Sequence, residues 1–136
     1  APSAGNIQPW HFYVVTGQQQ IRSMVPAVYS PAWFATAQAV IIVCADAEES
    51  AKRYGKRGSE LYCIQDTAAA VQNILLCAQD LGLGACWVGA FEEETCARMF
   101  SLPAHHRPVA LIPLGYPEAK TPKRPRKPIN EIATFL

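Results

Sequence analysis

One stretch constrains the fold more than any other: QDTAAAVQNILLCAQD, residues 65–80, followed by LG. Its composition predicts a helix over residues 66–81. Asp66 or Gln65 would cap its start, and Gly82 stands where it should end. Its polar residues come as pairs, Gln65–Asp66, Gln72–Asn73 and Gln79–Asp80. The seven-residue interval sets all three pairs on one narrow stripe. The rest of the circumference is apolar and must be covered, as in the central helix of a layered fold or a helix at a dimer interface.

Strands are predicted on either side of it. HFYVV (residues 11–15) is aromatic and β-branched. AVIIVCA (39–45) is continuously apolar and short, as expected of a strand buried on both faces. VALIPLG (109–115) is a third, where Pro113 suggests an edge or a bulge. ACWVGAF (85–91) is a weaker fourth. A further helix should start at Glu92, where three consecutive acids favour the positive helix end. Shorter helices are expected over 18–24 and around 50–61. Interleaved strands and helices make the class mixed α and β.

The chain of 136 residues suffices for one domain, and half of it is hydrophobic against 17% charged, which excludes a disordered polymer. A net charge of +1 offers no global field for nucleic acid or membrane. No apolar run approaches the ~20 residues of a membrane helix. Five cysteines, none closer than nine residues to another, exclude a C-x-x-C motif and suit a reducing cytoplasm. His105–His106 and His11 lack the spacing of a metal site, so none is expected. GLGACWVG (82–89) fails as a dinucleotide fingerprint, because Trp87 replaces the third glycine and a helix precedes it. Residues 1–117 are expected to form one domain. The proline-rich, basic piece 118–136 should be an arm lying across another surface.

Three segments have backbone chemistry suited to a ligand. PSAGNIQPW (2–10) is rich in turn formers that free backbone N–H groups, with Ser3, Asn6 and Gln8 adding polar side chains. CWVGAFEEE (86–94) combines a glycine that permits close approach with a helix start. KTPKRPRKP (120–128) supplies cations, with arginines able to grip a phosphate bidentately. Each has a plainer reading: a polar turn, a strand-to-helix connection, a solvated tail.

In series, these segments resemble the nitroreductase family of FMN-dependent oxidoreductases. APSAGNIQPWHFYVV is similar to its P-S-x-x-N-x-Q-P-W signature and strand. Residues 65–91 resemble its long helix and flavin-facing strand, and RPVALIPLGYPEAKTPKRPRKP its closing strand and arm. The resemblance implies an α+β three-layer sandwich with a central mixed sheet, an intertwined homodimer with exchanged C-terminal arms, and FMN at the subunit interface. It further implies NAD(P)H as reductant and ping-pong transfer to a nitroaromatic, quinone or related planar acceptor. A nucleic-acid partner is the weakest reading of the basic tail, which has no interleaved aromatics, and none is expected. Carried over, Pro2, Ser3 and Ala4 line the cofactor, with Asn6 and Gln8 supporting the turn. Trp87, Val88 and Gly89 offer backbone N–H groups to its ring, and Arg126, with Arg124 in reserve, meets its phosphate. No catalytic acid or base is implied. The family's opening R-R-S-x-R motif is not in this chain, which leaves two expectations: a longer gene product, or a non-catalytic flavoprotein that binds FMN weakly or not at all. Residues 25–34 and 51–61, with Tyr29, Trp33, Phe34 and Tyr54, are candidate pocket walls.

Overall fold

The computed structural model describes residues 1–29, 31–119 and 122–136. Strands β1 (Trp10–Val15), β2 (Ala39–Asp46), β3 (Gly84–Ala85) and β4 (His106–Gly115) form one sheet in the order β1-β2-β4-β3. Helices α1 (Gln18–Met24), α2 (Pro31–Phe34), α3 (Ala47–Arg57), α4 (Cys63–Asp80), α5 (Glu93–Met99) and α6 (Ile129–Ile132) surround or follow it. All pairings among the described strands are antiparallel, so within them the expected mixed sheet is antiparallel.

Pleating sorts the β2 side chains into two cores. Val40, Ile42 and Cys44 face one side with Ile21 and Met24 of α1, Phe34, Phe91, Cys96 of α5 and Leu111. Val43 faces the other with Val71 of α4, Ala110 and Ile112, flanked by Ile41, Ile74 and Leu75. The result is three layers: α1 and α5, the sheet, and α4. This arrangement explains why β2 and the middle of β4 read as near-continuous apolar runs. Burying a Val, Leu or Ile side chain is worth about 1.5–3 kcal/mol, so these strands dominate the stability of the sheet.

Pro113 is at neither an edge nor a bulge. It pairs with Val40, and the register shift falls at Val43/Cys44 instead. β3 pairs only through Gly84 and Ala85, and the ladder resumes at Val88–Leu111. Leu111 donates its N–H to Val88, and strand alternation points position 113 the same way. Pro113 thus stands opposite the break at Cys86, where the lost N–H has nothing to bond.

The long helix starts earlier than its composition suggests. A wide π turn over Gly58–Tyr62 joins α3 to α4, so Gln65 and Asp66 lie inside the helical run rather than capping it. Its end is as expected. Gly82 takes φ 73°, while Gly82 and Leu83 donate to the carbonyls of Gln79 and Ala78. The polar stripe is also broken, since Asp66 is buried while Gln65, Gln72, Asn73, Gln79 and Asp80 are exposed. Leu76 and Leu81 remain 60% and 72% exposed, so part of the apolar helix is uncovered. No helix among the described residues is long and apolar enough to cross a membrane.

Candidate functional site

The front turn is a built structure. Residues Ala4–Asn6 make one 3₁₀ turn, with Asn6 N–H donating to the Ser3 carbonyl (3.0 Å). Gly5, Asn6 and Gln8 all take φ 57°, a left-handed conformation that Gly and Asn tolerate best. Three contacts hold that strained backbone. Ser3 Oγ accepts the Gln8 N–H (2.9 Å), Asp66 Oδ1 accepts the Ala4 N–H (3.0 Å), and Arg53 Nη1 donates to the Gly5 carbonyl (3.3 Å). Gln8 Nε2 also reaches Asn6 Oδ1 at 3.3 Å. Ser3 Oγ, Asn6 Oδ1 and Gln8 Nε2 are therefore engaged in shaping the turn. Tyr54 belongs here as well: a Cβ on Gly5 would stand 2.5 Å from its hydroxyl. Exposed Pro2 precedes this turn, and half-buried Ala4 opens it.

Trp87, Val88 and Gly89 sit beside β4. Val88 is buried, and its N–H is taken by the Leu111 carbonyl at 2.9 Å. That corrects the expectation that all three amides face a ligand. Among the described residues, only the Trp87 and Gly89 N–H groups of this trio lack a backbone acceptor. Both residues are exposed, and the nearest atom to a Cβ placed on Gly89 would be Trp87 Nε1, 4.0 Å away. This edge is open.

In the arm, Lys120 and Thr121 lie outside the described residues. Residues 122–128 have no regular structure and are exposed. Arg126 Nη1 donates to the carbonyls of Arg124 and Pro125, both at 3.2 Å. Neither Arg124 nor Arg126 has an acidic partner among the described residues. No hydrogen bond among those residues joins the front turn, Trp87–Gly89 and the arm to one another.

A cleft of about 550 Å³ is lined by Trp33, Thr36, Gln38, Cys86, Leu114 and Tyr116, among others. Partial desolvation pushes the Cys86 thiol above its ordinary pKa, although the residue is exposed. The candidate aromatic walls separate here. Trp33 lines the cleft, Phe34 is fully buried in the core, and Tyr54 sits under the front turn. Tyr29 donates its hydroxyl to Glu92, a bond that holds the tyrosine proton and raises its pKa.

The profile of the Nitroreductase family matches residues 1–32 and 26–116. This chain belongs to the nitroreductase family. Two archaeal relatives share the name "Putative NADH dehydrogenase/NAD(P)H nitroreductase". That of Archaeoglobus fulgidus is 36% identical over 122 residues, covering 87% of this chain and 67% of the relative. That of Methanothermobacter thermautotrophicus is 40% identical over 121 residues, covering 85% and 59%. The chain thus spans about three-fifths to two-thirds of their length. "FMN reductase (NADPH)" of Bacillus subtilis is 28% identical over 100 residues, 64% of this chain and 40% of the relative. A nitroreductase family protein of Streptococcus pneumoniae superposes with a TM-score of 0.88 over 98% of this chain and 82% of its own; at 21% identity it speaks to the fold alone.

In this nitroreductase-family chain, sequence reading missed the residues that hold the turn. Arg53 and Asp66 come from the helices, 48 and 62 positions away from their partners. One signal was available for Asp66: it is the only charged residue of the long helix before Asp80 at its end. A buried carboxylate there requires a partner.

Proposed function

We propose that this chain is an NAD(P)H-dependent oxidoreductase that uses FMN and reduces a small planar acceptor, such as a nitroaromatic or a quinone. The observation that carries the reading is the front turn. Three hydrogen bonds, with Ser3, Arg53 and Asp66, hold a left-handed backbone in place ahead of any ligand, and such strain persists where the surroundings over-determine it. The names of the relatives support reductase chemistry with a nicotinamide donor, and one of them supports a flavin.

The residues present suit FMN. Pro2, Ser3 and Ala4 would line it, with Asn6 and Gln8 as the frame of the turn. The amides of Trp87 and Gly89, without a backbone acceptor among the described residues, would donate to polar atoms at a ring edge, and Val88 anchors that edge to β4. Arg124 and Arg126 are cations suited to a phosphate. When bound, FMN supplies a two-electron carrier; the protein contributes binding, orientation and exclusion of water. The cleft beside Trp33 and Cys86 has the volume and aromatic content suited to a flat acceptor.

The apolar surface left exposed on this chain supports a homodimer whose sites combine both chains. Exposed Phe12, Val14, Leu76 and Leu81, with Ile129, Ile132 and Phe135 of the arm, supply apolar surface for it. We read residues 1–117 as the domain and 118–136 as an arm on the partner. Five unpaired thiols suit a reducing, cytoplasmic setting.

Purified protein titrated with FMN should show saturable quenching of flavin fluorescence. With NADH or NADPH and a quinone, reductant and acceptor sharing one site in turn predict parallel double-reciprocal lines. A colourless protein that ignores added FMN would defeat the proposal, and intersecting lines would defeat its kinetic part.

A further inference from the structure

At the end of the sheet nearest α3, four titratable groups converge on the face that also carries Cys44. Asp46 closes β2 and His106 opens β4, and the two are register partners. Their nearest side-chain atoms, Asp46 Oδ2 and His106 Nε2, are 4.0 Å apart, too far for a hydrogen bond. His105 adjoins them from the preceding turn, and its ring lies 4.3 Å from that of His106. One donor atom from each of Asp46, His105 and His106 falls within 4.8 Å of the others. His11 of β1 stacks on His106, with ring centroids 4.5 Å apart.

We propose that Asp46, His105 and His106 form a binding site for a divalent transition-metal ion of the zinc, cobalt or nickel class. The second atom of each fixed ligand is already occupied, which aims the first. Asp46 Oδ1 accepts the Glu49 N–H at the start of α3 (2.9 Å), leaving Oδ2 free. Tyr13 hydroxyl is 2.6 Å from His106 Nδ1, leaving Nε2 free. With a cation on Nε2, the Nδ1–H donates to the tyrosine oxygen, the supporting bond that metal-binding histidines ordinarily make. Two imidazoles and one carboxylate suit borderline cations rather than calcium or magnesium. Metal–ligand bonds of about 2.0–2.1 Å bring tetrahedral donors to roughly 3.3 Å apart, so the set must contract by about an ångström. His105 is exposed in a turn and can supply that movement. Any open coordination position would face solvent.

The site is independent of the flavin reading, and the probe is the metal alone. Untagged protein is titrated with cobalt(II) chloride, and binding is followed by visible absorption and calorimetry. One equivalent should bind, without the thiolate charge-transfer absorption that exposed Cys77 or Cys86 would produce. His105→Ala, at an exposed turn, should keep its circular dichroism and bind about tenfold more weakly or worse. The double variant Cys77→Ser/Cys86→Ser should bind as the parent does. No saturable binding, equal affinity in His105→Ala, or loss of binding in the cysteine variant would each overturn the assignment.

Discussion

The carboxylate of Asp66, buried in α4, accepts the backbone N–H of Ala4 at 3.0 Å and so ties the front turn to the central helix. Its second oxygen, Oδ2, is buried without a partner among the described residues. A charge-assisted bond of this kind contributes about 1.5–3 kcal/mol, and here it stabilises a strained turn. Asp66→Ala should therefore weaken FMN binding about tenfold, equivalent to ~1.4 kcal/mol. Asp66→Asn keeps an acceptor and should lose less. Fluorescence titration of both variants decides it: equal losses would show that the hydrogen bond is not what matters.

Gly5→Ala tests the turn itself. The added methyl meets Tyr54 and Arg53, and the backbone must hold φ 57° with a Cβ. The left-handed conformation alone costs about 1–2 kcal/mol for a residue with a side chain. The melting temperature should fall, and adding Tyr54→Phe, which removes the crowding hydroxyl, should recover part of the loss. An unchanged melting temperature in Gly5→Ala would refute the geometry.

Alkaline pH should destabilise the fold through two core thiols. Burial, then the neighbouring Cys96, pushes Cys44 up to about 12, and burial raises Cys96 to about 11. The unfolded chain releases these protons from about pH 8.5, while the folded one keeps them. The native state then holds more protons, so stability falls as pH rises. The slope approaches 1.4 kcal/mol per pH unit for each thiol, an upper bound of about that size. Denaturant midpoints at pH 7.5 and 10 should differ less in Cys44→Ala than in the parent. An identical difference would exclude the thiol as a cause.

Cys86 reports on the cleft. It and Cys77 are exposed, whereas Cys44, Cys63 and Cys96 are buried. Alkylation of native protein followed by mass spectrometry should mark only the two exposed residues. A planar acceptor in the cleft should slow labelling of Cys86 and leave Cys77 unchanged, because only Cys86 lines that space. Equal protection of both would place the acceptor elsewhere.

Much of the architecture was legible because its signals are local. β2 announces itself as an unbroken apolar run, Gly82 stops the helix with a conformation it adopts cheaply, and three acids start α5. The front turn could be located from its Pro, Gly and Asn, and the family from three motifs in order. What the chain alone could not show are distances between parts remote in sequence. Gln65 and Asp66 looked like a cap because local propensity cannot see the π turn that carries the helix through them. Pro113 looked like an edge because its tolerance depends on a break in the neighbouring strand. Asp66 on Ala4, Arg53 on Gly5, and the meeting of Asp46 with His105 and His106 arise only when strands and helices pack. Composition and periodicity set the elements of this protein; the register of the sheet and the close approach of its helices decided which side chains share a site.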